Sequence, residues 1–227
     1  MKSLYEYCVE QGNDILLRQW HPRKNGGLTP DCVVAGSEKK VWWICEKGHE
    51  WQAFVFSRTG GRHASCPYCS NQAVLEGYND LATTHPVVAA QWHSELNGDL
   101  TPGRVTAGSR KKVWWRCSEG HEWQAFVFSR TGGRHTSCPY CSNKAVLSGY
   151  NDLTTVEPEV AEQWHPELNG DLTPEHVTAG CRKKVWWICE KGHEWQAAIA
   201  MRAGRRKTGC PICAGRAQKQ SITDSKN

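Results

Sequence analysis

The sequence predicts three small α+β modules in tandem, each pinned by a cluster of Cys and His rather than by one large apolar core. Three observations predict this. The 227-residue chain repeats with a period of 72 residues: Trp20, Trp92 and Trp164 are one period apart, as are Cys45, Cys117 and Cys189. Nine of its 12 cysteines keep that register. Hydrophobic residues make up only 39% of the chain, with Leu and Ile scarce and 12 Trp present, against the ~45–50% of ordinary soluble domains. A large aliphatic core is excluded by that composition.

No stretch approaches the ~18 apolar residues of a membrane span. The N-terminal segment MKSLYEYCVEQGND lacks the apolar centre of a secretory signal. The expected location is therefore intracellular, whether cytoplasm, nucleoid or nucleus. Thiols stay reduced there, so twelve cysteines are poor material for a disulfide framework and metal binding is their leading use.

The period places modules at 4–75, 76–147 and 148–219, followed by a polar tail at 220–227. SEKKVWWICEKGHEWQAFVFSRTGGRHASCPYCSN in the first returns as SRKKVWWRCSEGHEWQAFVFSRTGGRHTSCPYCSN in the second. The third copy, CRKKVWWICEKGHEWQAAIAMRAGRRKTGCPICAG, has drifted further. No Gly/Ser-rich or Pro-rich linker separates the copies, which predicts closely spaced beads.

Within each module the leading half carries a short helical signal, HPVVAAQW at 85–92 and EPEVAEQW at 157–164. Pro86 and Pro158 suit a first helical turn. Val88 with Trp92, and Val160 with Trp164, lie four apart on one face. A second helix start is expected at Thr29-Pro30, Thr101-Pro102 and Thr173-Pro174, with Thr as N-cap. The trailing half reads as a hairpin: Val41–Cys45 as a strand, a turn at Gly48, and Trp51–Phe56 as the return strand. Val41, Trp43 and Cys45 share one face of that strand and Trp42 and Ile44 the other. Trp43 and Trp51 should then pack beside the cysteines. Packing is also the favoured use of Trp42, Trp114 and Trp186, over base stacking.

Each copy offers Cys-x3-His, a gap of sixteen residues, then Cys-x2-Cys. The sets are Cys45, His49, Cys66, Cys69; Cys117, His121, Cys138, Cys141; and Cys189, His193, Cys210, Cys213. Structural zinc wants four N/S ligands in a tetrahedron, and two close pairs supply them with one local turn each. Gly48, Gly120 and Gly192 precede the His, where the turn needs a residue tolerant of positive φ. The expectation is three structural Zn2+ ions per chain, with no position left open for a substrate. The register also selects the histidine. His63 and His135 lie near the second pair, but Lys207 holds that place in the third copy. His21, His93 and His165 recur in a Trp-His pair and are expected to pack or to close a helix. Cys8 aligns by the period with Asp80 and Asp152, Cys32 with Arg104 and His176, and Cys181 with Ser37 and Ser109, so these three read as free thiols. A module of this size buries little core and needs such a staple.

The pattern WH–N–LTP–GS–WWxC–GHeW–CPYC resembles the zinc-ribbon (treble-clef-like) domain family over nearly the whole chain. That resemblance implies the same twelve zinc ligands. It also implies a treble clef in which the last ligands open a short helix over 71–75, although a plain ribbon with two knuckles is similar in sequence. Functionally it implies modules that accompany DNA-acting proteins, nuclease-type domains included.

Charge is segregated. The halves 37–75, 109–147 and 181–219 carry net charges of +2, +5 and +8, while 148–180 carries −7. Basic positions recur at Lys39, Lys40, Arg58 and Arg62; at Lys111, Lys112, Arg130 and Arg134; and at Lys183, Lys184, Arg202, Arg205 and Arg206. Basic side chains beside aromatic strands suit a nucleic-acid backbone. A Cys3His zinc site has a charge of about −1, so neutralising the site is a competing use for the same residues. Binding of nucleic acid, DNA favoured, is the expected function, alone or beside a partner protein such as a nuclease. A protein-interaction scaffold is the alternative. A metal-dependent nuclease ranks third: Asn71 and Asn143 become Gly215, and Glu50, Glu122 and Glu194 lack an evident catalytic companion. No catalytic residue, small-molecule substrate or membrane partner is expected.

Overall fold

The computed structural model describes residues 1–60, 64–133, 136–204 and 207–216. Their contacts form two compact units, Met1–Trp115 with Gln124–His135, and Arg116–Trp123 with Thr136–Asn227. The middle repeat contributes to both. No helix among the described residues is long and apolar enough to cross a membrane.

The first copy runs α1 (Leu4–Glu10), α2 (Asp14–Arg18), a 3-10 turn at Pro30–Cys32, β1 (Lys40–Ile44), β2 (Glu50–Phe54) and α3 (Val55–Thr59). The second runs α4 (Leu81–Thr84), α5 (Pro86–Ala89), β3 (Lys112–Arg116), β4 (Glu122–Phe126) and α6 (Val127–Thr131). The third runs α7 (Leu153–Val156), α8 (Pro158–Ala161), β5 (Lys184–Ile188), β6 (Glu194–Ala198) and α9 (Ile199–Ala203). Each sheet is a two-stranded antiparallel hairpin. In the first, Trp43 faces Trp51 and Lys40 faces Phe54; in the third, Trp187 faces Trp195.

A lone hairpin is marginal in water, and here the Trp residues hold it. Trp43, Trp115 and Trp187 are 0% exposed. Each donates its indole N–H to the return strand, at Ala53 O (3.2 Å), Ala125 O (3.1 Å) and Ala197 O (3.0 Å). Each also takes an edge-to-face contact from the Trp of its own leading half: Trp20–Trp43 at 5.5 Å, Trp92–Trp115 at 5.4 Å and Trp164–Trp187 at 5.4 Å. The segment around Trp20 docks beside β1 as a backbone bridge, with His21 N–H on Trp42 O and Ile44 N–H on Gln19 O. Asn25 extends that edge, its amide donating to Trp42 O (2.9 Å) and accepting from Trp42 N–H (2.7 Å). Asn97 does the same for Trp114 and Asn169 for Trp186. A side-chain amide thus substitutes for a third strand.

Several expectations change. The return strand stops at Phe54, and residues 55–59 turn into a helix. Helical spacing sends both Val55 (0% exposed) and Arg58 (6%) inward, which a continued strand could not do. The Thr-Pro sites make only 3-10 turns without a side-chain cap. Thr29 Oγ donates instead to Cys32 Sγ. The expected helix over 71–75 is a hydrogen-bonded turn, closed by Gln72 and Ala73 N–H on Pro67 O. Asn71 and Asn143 sit at φ of 56° and 53°, and Gly215 at 68°; that left-handed residue ends the turn.

The fixed period also misaligns the start of the first copy. Asp80 and Asp152 cap α4 and α7 and bridge to Thr106 and Thr178. Their counterpart is Ser3, which caps α1 and bridges to Val34. Cys8 lies on additional helix and is buried in the core of the first copy.

Replacing Asn97 with Ala should leave the N–H of Trp114 without its partner, while the C=O keeps only the His93 N–H. A loss of about 2 kcal/mol is expected, read as a lowered denaturant midpoint with zinc saturating in both proteins.

Candidate metal centres

Cys45 follows β1, His49 precedes β2, and the turn between them is closed by Gly48 N–H on Cys45 O and Cys45 N–H on His49 O. Gly48, Gly120 and Gly192 have φ of 80°, 81° and 70°, conformations that a Cβ disfavours. The Cys66–Cys69 knuckle is closed by Ser70 N–H on Cys66 O.

The four donors of each copy lie within 4.8 Å of one another, in Cys45/His49/Cys66/Cys69, Cys117/His121/Cys138/Cys141 and Cys189/His193/Cys210/Cys213. In the first, Cys45 Sγ is 3.8 Å from Cys69 Sγ, and His49 Nδ1 is 3.5, 3.3 and 3.7 Å from the sulfurs of Cys45, Cys69 and Cys66. The second gives 3.8, 3.5, 3.2 and 3.7 Å, the third 3.8, 3.6, 3.3 and 3.7 Å. Zn–S bonds of about 2.3 Å and Zn–N bonds of about 2.0 Å require tetrahedral edges of about 3.8 Å (S···S) and about 3.5 Å (S···N). The observed edges fit, and they select Nδ1 as the ligating nitrogen. Three Cys3His sites thus fit three structural zinc ions, and no disulfide is present.

Desolvation pushes the thiols of Cys66, Cys141 and Cys213 up to about 11. Desolvation acts the same way on Cys45, Cys117 and Cys189, but hydrogen bonds from nearby backbone N–H groups and from the neighbouring cysteines together outweigh it and lower those thiols.

Arg58, Arg130 and Arg202 depart from the sequence reading. They are only 6, 5 and 4% exposed. The Arg58 guanidinium lies 4.9 Å above the Trp43 ring and 5.3 Å from that of Trp51, and donates to Ala64 O and Gln19 Oε1. Arg202 repeats this over Trp187 and Trp195, donating to Thr208 O and Gln163 Oε1. Arg130 lies 5.1 Å from Trp115 and donates to Gln91 Oε1. Burial lowers the pKa of Arg58 and Arg202, while the charge of Cys66, and of Cys210 and Cys189, opposes that. These arginines face inward as counter-charges to the thiolates and are withdrawn from the expected phosphate contacts. Arg62, Arg134, Arg205 and Arg206, like His63, His135 and the tail at 220–227, lie outside the described residues. Lys39, Lys40, Lys111, Lys112, Lys183 and Lys184 are all exposed.

The recurrent Trp-His pair is structural. His21 Nδ1 accepts the N–H groups of Arg23 and Lys24 at 3.1 Å each, so Nε2 carries the proton and donates to Glu50 Oε1 at 2.8 Å. His165 holds Glu194 in the same way, at 3.1 Å. That accounts for Glu50 and Glu194 beside the zinc-site histidines, and it leaves His21 and His165 no free nitrogen for acid–base work.

One feature of the site was missed in the sequence. Tyr78 and Asn79, which open the second repeat, clasp the first zinc site. The Tyr78 ring is 4.1 Å from that of His49, its hydroxyl reaches Cys69 Sγ (3.9 Å), and Lys47 donates to it (3.0 Å). Asn79 donates to Tyr68 O, Ala73 O and Asn71 Oδ1 and accepts Leu75 N–H. Tyr150 and Asn151 do the same for the second site. The signal was the pentapeptide GYNDL, at 77–81 and again at 149–153. In the third copy a cavity of about 390 Å³ is lined by Cys189, Cys210 and Cys213 together with Glu159, Gln163 and Lys207.

Hairpin, paired knuckles and closed four-ligand sites define a tandem array of structural zinc fingers. A family model described as a probable treble clef zinc finger domain matches residues 16–72, 88–144 and 160–216, and the chain belongs to that family. Membership points to a non-catalytic domain. No curated protein matches the chain.

Elemental analysis should give three zinc ions per chain, falling to two in Cys117→Ser. His121→Ala should weaken the second site while His135→Ala leaves it intact. Burial raises the Cys66 thiol of the metal-free site to about 11, so zinc binds by displacing its proton and Cys66 is a thiolate only in the loaded site; the sign is therefore release of zinc as pH falls, read as zinc content across an acid titration. Tyr78→Ala should speed zinc release to a chelator from the first site alone, followed by metal-indicator absorbance.

Proposed function

We propose that the chain is a nucleic-acid-binding array, DNA favoured, that holds phosphate backbone through the lysine pairs at the start of each hairpin and serves as an accessory to a DNA-acting enzyme. The observation that supports this is the disposition of Lys39-Lys40, Lys111-Lys112 and Lys183-Lys184. All six are exposed, and none pairs with a carboxylate among the described residues. The zinc sites are already balanced from inside by the buried arginines, which leaves these lysines uncommitted. Arg110 and Arg182 extend the run in the second and third copies, where Glu38 stands in the first. Such contacts position the protein on the backbone without reading sequence.

The test is a titration with short duplexes and single strands at ~50 and ~200 mM salt. Affinity should fall steeply with salt, about equally across sequences. Each phosphate contact removed, as in Lys183→Ala with Lys184→Ala, should flatten the log–log slope by about 0.9 on duplex DNA, with zinc content unchanged. Failure to bind either form at low salt would reject this reading in favour of a protein-interaction scaffold.

A further inference from the structure

The zinc-site mechanics leave one surface feature unused. Phe54 and Phe56 are 44 and 46% exposed, and their rings stack at 5.5 Å with an interplanar angle of 21°. Phe126 and Phe128 repeat the pair at 44 and 45% exposure, 5.5 Å and 25°. Phe54 and Phe56 lie outside the hydrophobic core of the first copy. Large apolar side chains held side by side in solvent mark a contact surface more often than a packing need.

The surroundings say what kind of contact. Lys40 stands directly opposite Phe54 in the hairpin, a separation of about 5 Å between Cβ atoms. Backbone bonds fasten the lysine segment to the aromatic one: Val55 N–H on Lys39 O (3.1 Å) and Phe56 N–H on Ser37 O (3.0 Å). The second copy has the same pair of bonds, Val127 to Lys111 and Phe128 to Ser109. A paired aromatic face thus shares its hairpin end with a segment carrying two uncommitted lysines. That combination complements an anionic chain bearing flat π-faces. Duplex bases have their faces already stacked; unpaired bases do not.

We infer that Phe54/Phe56 and Phe126/Phe128 are base-stacking platforms for single-stranded nucleic acid, with the adjacent lysines holding its phosphates. This rests on the nucleic-acid reading above and names its substrate class. It also gives the copies different work. In the third copy the same backbone bonds are kept, from Ile199 to Lys183 and from Ala200 to Cys181, but Ala198 and Ala200 replace the rings. That copy contributes charge without stacking.

The test compares wild type, the quadruple variant Phe54→Ala, Phe56→Ala, Phe126→Ala, Phe128→Ala, and the reciprocal Ala198→Phe, Ala200→Phe. All are checked for three zinc ions per chain. Binding is measured by fluorescence anisotropy with oligo-dT, oligo-U and a mixed duplex, each longer than the ~4–16 nucleotides a single module covers. Wild type should prefer the unpaired strands. The quadruple variant should lose about tenfold or more on them while its duplex affinity stays within about twofold, since phosphate contacts survive. The reciprocal variant should gain on unpaired strands. The dT and U arms separate DNA from RNA as the source of the bases. Unchanged single-strand affinity in the quadruple variant, or an equal loss on duplex, would overturn the platforms even if lysine-dependent binding persists. Absence of any binding by wild type would overturn the nucleic-acid reading and this inference with it.

Discussion

The closing of four donors around one point is the constraint on which each module depends. Two knuckles, sixteen residues apart in sequence, must bring three sulfurs and one imidazole nitrogen to tetrahedral edge lengths. A two-stranded hairpin and a few single-turn helices bury too little to hold that arrangement by apolar contact alone. Structural zinc adds ~10–16 kcal/mol in small finger peptides, more than the whole stability of many domains. The surrounding residues serve to make that closure possible and electrically tolerable.

Electrical tolerance explains the most unusual side chain in the fold. A buried guanidinium is costly unless it is paired and hydrogen-bonded, and each copy carries a buried one. Arg58 survives because indole rings lie against its plane, two side-chain donors find oxygens, and Cys66 supplies negative charge nearby. Balancing the site from inside frees the outer lysines. The exposed charge is thus a surplus beyond what the metal requires.

Neighbouring repeats are joined as well as adjacent. Tyr78 and Asn79 belong by sequence to the second repeat but complete the shell of the first zinc site, as Tyr150 and Asn151 do for the second. Asp80 and Asp152, one residue on, cap the next helix. One short segment therefore finishes a metal centre and starts a module. The stability of one site is coupled to the folding of the next repeat's leading turn.

The metal sites were legible in the sequence because each depends on local spacing. Cys-x3-His and Cys-x2-Cys each need one turn, and a 72-residue period repeated three times separates His49 from the bystander His63. Alternation along Val41–Cys45 likewise placed Trp43 inside. What the tertiary structure decided involves partners far apart in the chain or a change of period. Arg58 reads as surface charge until a helix at 55–59 and Gln19, 39 residues away, turn it inward. Ser3 replaces Cys8 as the counterpart of Asp80 because the first copy spends extra residues on α1, which a fixed period cannot show. The stacked phenylalanines read as the end of a strand until the backbone turns after Phe54 and sets Phe56 beside it. Short-range geometry is written in residue spacing. Burial and pairing across tens of residues are settled only when the hairpin, the leading helices and the metal ligands close on one another.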